Sequence, residues 1–339
     1  MSQYTLPAEW EKQSYIQLTW PHAETDWADM LEEVEDCFYH LAENIATRQP
    51  LLLIAPSFPQ CLQDAPFIQN ITFVPCQTND TWARDHGFIT LLNAEKEACL
   101  LDFQFNGWGM KFASAHDNQI NKQLYKQGVV KGEYRSHLDF VLEGGSIESD
   151  GKGTVFTTSP CLLAPNRNET LTQEGIEKAL KENLGMDRVL WIEYGYLAGD
   201  DTDSHIDTLV RVCPNDTLLY VQCTDPEDEH YEELKKMEEQ LHTLRTTDGK
   251  PYTLLPLPMA DAIYHKGERL PATYANFLIM NQAILFPTYN QPHYEEQVKK
   301  VLQTAFPHHE IVGIDCRALI KQHGSLHCVT MQYPQSVQP

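Results

Sequence analysis

Basic residues are scarce in this chain. Its 339 residues carry 25 Lys and Arg against 48 Asp and Glu, a net charge of −23. That balance argues strongly against nucleic acid and an anionic membrane surface as partners, since both are bound through positive patches. It suits a small cationic ligand, and it serves plain solubility equally well. Long apolar runs are missing too: nothing approaches the roughly 18 apolar residues of a membrane-spanning helix. The start, "MSQYTLPAEWEKQSY", has neither the basic n-region nor the apolar h-region of a secretory signal, so a cytoplasmic protein is expected. The nine cysteines (37, 61, 76, 99, 161, 213, 223, 316 and 328) form no C-x-x-C pair and lie mostly inside apolar runs. They read as reduced thiols, most of them core residues, rather than a disulfide framework. No G-x-G-x-x-G follows an early strand and no phosphate loop occurs, which argues against nucleotide enzymology. "DGKGT" (150–154) precedes a strand and reads as a hairpin turn. No Ser/Gly linker divides the chain, and one domain over 1–339 is expected.

What is present is a recurrence of strand-length apolar runs bounded by Gly, Pro, Asn or Asp: 51–57, 71–77, 98–105, 139–147, 153–163, 188–194, 205–213, 217–223, 275–281, 283–289 and 326–333. Amphipathic segments at 27–48, 118–128, 170–184, 227–245 and 292–305 carry helical spacing; in the first, Leu31, Val34, Phe38 and Leu41 form one stripe. About five helices, roughly 60 residues apart, fit an internal repeat of β-rich units with one helix each.

Several polar groups stand at the mouths of these strands, where burial is costly unless the group is used. In "GDDTDSHIDTLVRV" (199–212), His205 and Asp207 are two apart and would share one face of a strand; a solvated strand end is the alternative. In "NDTWARDHGFITLL" (79–92), Trp82 and Asp85 suit a cation site, or Arg84 and Asp85 form a surface pair with Trp82 half buried. Glu143 precedes a double glycine, which permits close backbone approach, although a hairpin with an edge glutamate is the commoner outcome. "FQFNGWGMKF" (103–112) is an aromatic-tipped loop, a turn or a pocket wall around Trp108. In "HGSLHCVTMQYP" (323–334), Cys328 is a buried small residue, a metal ligand with His323 and His327, or a nucleophile. Gly324 and Ser325 disfavour the helix that a His-x-x-x-His chelate needs, so the metal reading is weak and the two histidines read as bystanders. A cysteine displayed after a glycine turn at a strand start suits a nucleophile.

If Asp85, Glu143, His205, Asp207 and Cys328 converge, three carboxylates without a metal motif call for a cationic ligand. A guanidinium matches best, because its planar fork takes carboxylates bidentately. Thiolate plus imidazole then suits covalent substitution at the guanidinium carbon, with no cofactor and no metal.

The ordered stretches "PAEWEKQSYIQLTWPH", "WARD", "FNGWG", "EGGSIESDGKGT", "LLAPNRN", "HID" and "LHCVTMQYP" resemble the agmatine deiminase branch of the bacterial-type peptidylarginine deiminase family, in the guanidine-modifying (pentein) superfamily. The resemblance covers essentially the full length. It implies an α/β fold, a five-bladed pseudo-symmetric propeller of ββαβ units around a central site. It implies hydrolysis of agmatine to N-carbamoylputrescine and ammonia through a thiouronium intermediate on Cys328, in putrescine synthesis. His205 would be the acid and base, Asp85 and Asp207 would hold the guanidinium, Glu143 would be a further acid, and Trp82 and Trp108 would wall the pocket. Relatives commonly form homo-oligomers, and the sequence does not fix the state of this chain. Deimination of peptidyl arginine and a non-catalytic binding propeller are the alternatives. Three departures stand out: relatives often carry glycine where this chain has Met110, Ser204 and the His323 segment.

Overall fold

The amphipathic segments and the apolar runs pair off in a repeated pattern. A computed structural model describes residues 4–337. In four sheets a first strand runs antiparallel to a central one, a helix crosses over, and a third strand returns parallel to the central one. Their strands are Ile89–Leu92, Ala98–Gln104 and Glu133–Val141; Ile147–Ser149, Thr154–Thr158 and Arg188–Ile192; Val210–Cys213, Thr217–Gln222 and Thr253–Pro258; and Leu278–Ile279, Ala283–Thr288 and Glu310–Asp315. The crossovers are the helices Asp117–Lys126, Gln173–Leu184, Tyr231–Thr243 and Pro292–Ala305. A fifth, four-stranded sheet joins the two chain ends. Thr330–Pro334 lies antiparallel to Gln13–Thr19, which is followed through the helix Leu31–Ala46 by the parallel strands Leu51–Ala55 and Ile71–Pro75. The architecture is mixed α/β.

Local chemistry sets these elements. Val34, Phe38, Leu41 and Ile45 are all buried along one face of Leu31–Ala46. Thr172 caps the helix Gln173–Leu184 by accepting from the amide of Gly175, and Gly185 ends it in the left-handed conformation. The central strands are buried on both faces; Leu51 to Ile54 and Ala283 to Phe286 are fully inaccessible, so they read as continuous apolar runs.

All five amphipathic segments form helices, and "DGKGT" turns between two paired strands. Six strands escape the sequence pattern: Gln13–Thr19, Ile89–Leu92, the two-residue pair Tyr264–His265 and Glu268–Arg269, and then Thr253–Pro258 and Glu310–Asp315. The last two are outer edges of their sheets. One carries two prolines and the other a glycine and two acids, which edge positions tolerate. Several runs read as strands are strands only in part, and three of them share a pattern. Gly144–Ser146 and Ile206–Thr208 are short 3-10 turns, and the strand of the final run begins at Thr330. In each, buried polar residues turn inward before the pleat starts.

Candidate active site

Those inward turns build the site. Just ahead of the first strand of each of these five sheets lies a buried polar residue: Asp85, Glu143, His205 with Asp207, Asn276 and Cys328, each at most 4% exposed. His205 and Asp207 do not share a strand face as their spacing predicts; they flank Ile206 at a 3-10 turn. Gly145 makes the convergence sterically possible. A Cβ there would lie 2.7 Å from His205 Nδ1, 2.9 Å from Asp85 Oδ1 and 3.2 Å from Asp207 Oδ2. The double glycine is thus a close-approach device rather than a hairpin tip.

Asp85 accepts from the Trp108 indole N–H at 2.9 Å and from the amide of Gly145 at 3.0 Å. Its Oδ1 is 3.7 Å from His205 Nδ1. Burial pushes the Asp85 carboxyl up against the pull of His205. Burial also opposes a charged His205, but Asp85, Cys161 and Glu143 outweigh it and raise the imidazole well above its usual range. Both directions keep a proton in the pair. Glu143 is held by Arg167 Nε at 2.9 Å, and its other oxygen lacks a partner among the described residues. So do Asp207 Oδ1 and both ring nitrogens of His205. Asp207 Oδ2 takes a hydrogen bond from His327 Nδ1 at 2.7 Å; burial would raise this carboxyl, but His327 holds it below the ordinary range.

Cys328 Sγ is 3.4 Å from Asn276 Oδ1 and 3.9 Å from Asp207 Oδ2. Burial, then Asp207 and Asp85, push the thiol well above its ordinary value, so it rests protonated. A cation between the two carboxylates reverses that bias. Cys328 opens onto a cavity of about 360 Å³, with Trp82, Trp108 and Phe112 as its aromatic walls and Asp26, Asp80, Asp85 and Asp201 as its acids. Trp82 and Trp108 meet edge to face at 6.2 Å. Gly324 is required beside them, since any Cβ there would overlap the Trp82 ring. Burial raises Asp80 to about 7 and Asp201 to about 6.

A match to the family model of the Porphyromonas-type peptidyl-arginine deiminases runs over residues 5–334. The chain belongs to that family. Among solved structures, a Porphyromonas gingivalis protein named a "Putative Arginine Deiminase" is 50% identical, with a TM-score of 0.94 over 99% of this chain and 100% of that one. C. jejuni agmatine deiminase, solved with substrate bound, is 40% identical, with a TM-score of 0.90 over 97% of this chain and 96% of that one. Enterococcus faecalis agmatine deiminase is 26% identical, with a TM-score of 0.90 over 99% and 97%.

The fold brings together Asp85, Glu143, His205, Asp207 and Cys328, with Trp82 and Trp108 on the wall of the adjoining cavity. Arg84 is buried and faces away from Asp85's cavity, so the surface pair does not form. His323 and His327 are also far from idle. His323 Nδ1 meets the carbonyl oxygen of Gly199 at 2.6 Å, and His327 joins Asp207 to Glu9. Asn276 was hidden inside the apolar run "ANFLIMN"; the signal that finds it is its place ahead of a first strand. Among the described residues two clusters have metal-ligand composition, Glu143, Cys161 and His205 and, separately, Glu9, Glu148 and His327. In the second the Arg211 guanidinium already serves the carboxylates. Met110, Ser204 and His323 all have positive φ, 69°, 67° and 66°. At each departure from glycine the chain thus keeps a backbone conformation that glycine adopts freely. No helix among the described residues is long and apolar enough to cross a membrane.

Proposed function

We propose that the chain hydrolyses agmatine to N-carbamoylputrescine and ammonia by covalent catalysis at Cys328. The convergence of a thiol, an imidazole and three carboxylates from successive sheet entrances carries the reading. Asp85 and Asp207 take the guanidinium fork; its charge offsets the two carboxylates that hold Cys328 as a thiol, and the thiol gives up its proton to water as the substrate enters. The thiolate attacks the guanidinium carbon, and His205 gives its proton to the departing ammonia, leaving a thiouronium on Cys328. His205 then takes a proton from water, whose oxygen adds to the same carbon, and the thiol leaves as the ureido product forms. Glu143, fixed by Arg167, is a further acid beside His205. Asn276 positions the sulfur. The aromatic walls and the acids Asp26, Asp80 and Asp201 suit the four-carbon tail and distal ammonium of a dication.

The names of the C. jejuni and Enterococcus faecalis relatives support agmatine. The family name and the P. gingivalis relative favour a second reading, deimination of arginine or peptidyl arginine. Incubation with agmatine and with a blocked arginine peptide, assaying ammonia and the ureido product, separates them. Agmatine turnover with little peptide turnover is expected; the reverse overturns the substrate assignment. We further propose one catalytic domain, with the five sheets arranged as blades around the site, in a cytoplasmic protein serving putrescine synthesis.

A further inference from the structure

We infer that Glu9 and His327 are positioning residues that act on the reaction through Asp207. Resting on the reading of Cys328 as nucleophile, the inference concerns what sets the orientation and charge of the carboxylate beside it.

Glu9 belongs to the segment before the first strand, 318 positions from His327. Its Oε1 accepts from the amide of Ile279 at 3.0 Å. Its Oε2 faces His327 Nε2 at 2.9 Å and Arg211 Nη2 at 2.7 Å. His327 Nδ1 faces Asp207 Oδ2 at 2.7 Å. The backbone on either side is clamped as well, because Asn276 Oδ1 accepts from the amides of His327 at 2.9 Å and Cys328 at 3.3 Å. A carboxylate oxygen stands at each ring nitrogen, and Arg211 Nη2 lies 3.1 Å from Nε2. The carboxyls of Glu9, Glu148 and Asp207 and the guanidiniums of Arg84 and Arg211 surround the ring, and burial raises Glu148 against the pull of Arg211. Glu9 is driven well below the ordinary carboxylate range: burial opposes ionisation, but His327 and Arg211 prevail.

The chain ends away from substrate. Glu9, His327, Arg84 and Glu148 line a second cavity of about 630 Å³, which shares no lining residue with the cavity at Cys328. Glu9 therefore reaches the reaction only through His327 and Asp207. Asp207 Oδ2, pinned from behind, leaves Oδ1 unpartnered for the guanidinium.

Glu9→Gln preserves shape but replaces the carboxylate oxygen that orients His327, so the ring holds Asp207 Oδ2 less firmly. The Asp207 charge beside Cys328 is then less countered, and the thiol becomes harder to ionise.

The test is the pH dependence of Cys328 alkylation by iodoacetamide in substrate-free full-length protein. The same variant carrying Cys328→Ala is subtracted as background for the exposed Cys61. For Glu9→Gln the midpoint should rise by about half a pH unit or more and kcat for agmatine should fall about 10-fold, with KM moving less. His327→Asn retains a donor toward Asp207 but cannot reach Glu9, and should shift the midpoint at least as far. The double variant should then add little to His327→Asn. A parental midpoint and parental kcat in whichever variants fold overturns the inference, as does strict additivity. Alkylation needs no substrate, so failure of agmatine turnover in the unmutated protein would indict the substrate assignment and leave this test readable.

Discussion

Arg84 and Asp85 are neighbours in the chain, and so are His327 and Cys328, yet the members of each pair face opposite cavities. Beside Asp85 and Cys328, which line the smaller cavity, stand buried polar atoms with no hydrogen-bond partner among the described residues: Asp207 Oδ1, Glu143 Oε2 and both nitrogens of His205. Behind it, Glu9, Glu148, Arg211 and His327 use every side-chain polar atom. Arg211 alone joins Glu148 at 2.6 Å, Glu9 at 2.7 Å and the carbonyls of Ala275 at 3.0 Å and Phe277. The contrast separates two jobs for buried charge. Unpaired groups are costly and persist where a ligand completes them. Paired ones hold geometry.

Substitutions in front should therefore cost turnover directly, and substitutions behind should cost stability and reach turnover only through Asp207. Cys328→Ala comes first: ammonia release from agmatine should fall at least about 10⁴-fold with an unchanged circular dichroism spectrum. Retained activity would end the covalent account. Asp85→Asn should lower kcat/KM about 100-fold or more with little change in melting temperature, whereas a surface pair would change almost nothing. Arg211→Met strands two buried carboxylates and should destabilise by about 3–5 kcal/mol in urea titration.

A pH measurement sharpens the comparison at Asp80. Its folded pKa, about 7, lies above the ordinary carboxylate value, so the folded state holds the proton more tightly. The stability this contributes is full below the unfolded value and is lost as pH rises toward about 7. Asp80→Asn should flatten that slope in thermal melts between pH 4 and 8 and should raise KM for agmatine. Asp207 has the opposite sign: its folded value is depressed, so its contribution is present at neutral pH and lost on acidification. The smallest effect is expected from Ser204→Gly. Relief of the left-handed strain is worth about 1–2 kcal/mol, but the freer unfolded chain offsets part of it. A gain below about 1 kcal/mol is expected.

The same contrast explains what could be read in advance. Cys328, His205, Asp207, Asp85 and Glu143 were visible because each interrupts an apolar run with a reactive side chain beside a turn. The resemblance then gave them roles. Asn276 was missed because an amide inside "ANFLIMN" looks like any strand residue. Glu9 and His327 were missed because their meaning lies in contacts made over 120 to 318 positions. Arg211 and Glu148 left a usable trace, a charge inside a buried strand, which requires a partner. Strands at sheet edges, such as Thr253–Pro258, were obscured by prolines that only an edge tolerates. The pairing of Thr330–Pro334 with Gln13–Thr19 is not local at all; it brings Cys328 to the other sheet entrances by joining the chain's ends.

Acid-quenched single-turnover mass spectrometry tests the covalent claim most directly. Protein mixed with agmatine and quenched over milliseconds to seconds should carry, on the peptide containing Cys328, the mass of agmatine less ammonia, appearing before the ureido product. Product formation with the Cys328 thiol free at every quench time would contradict it.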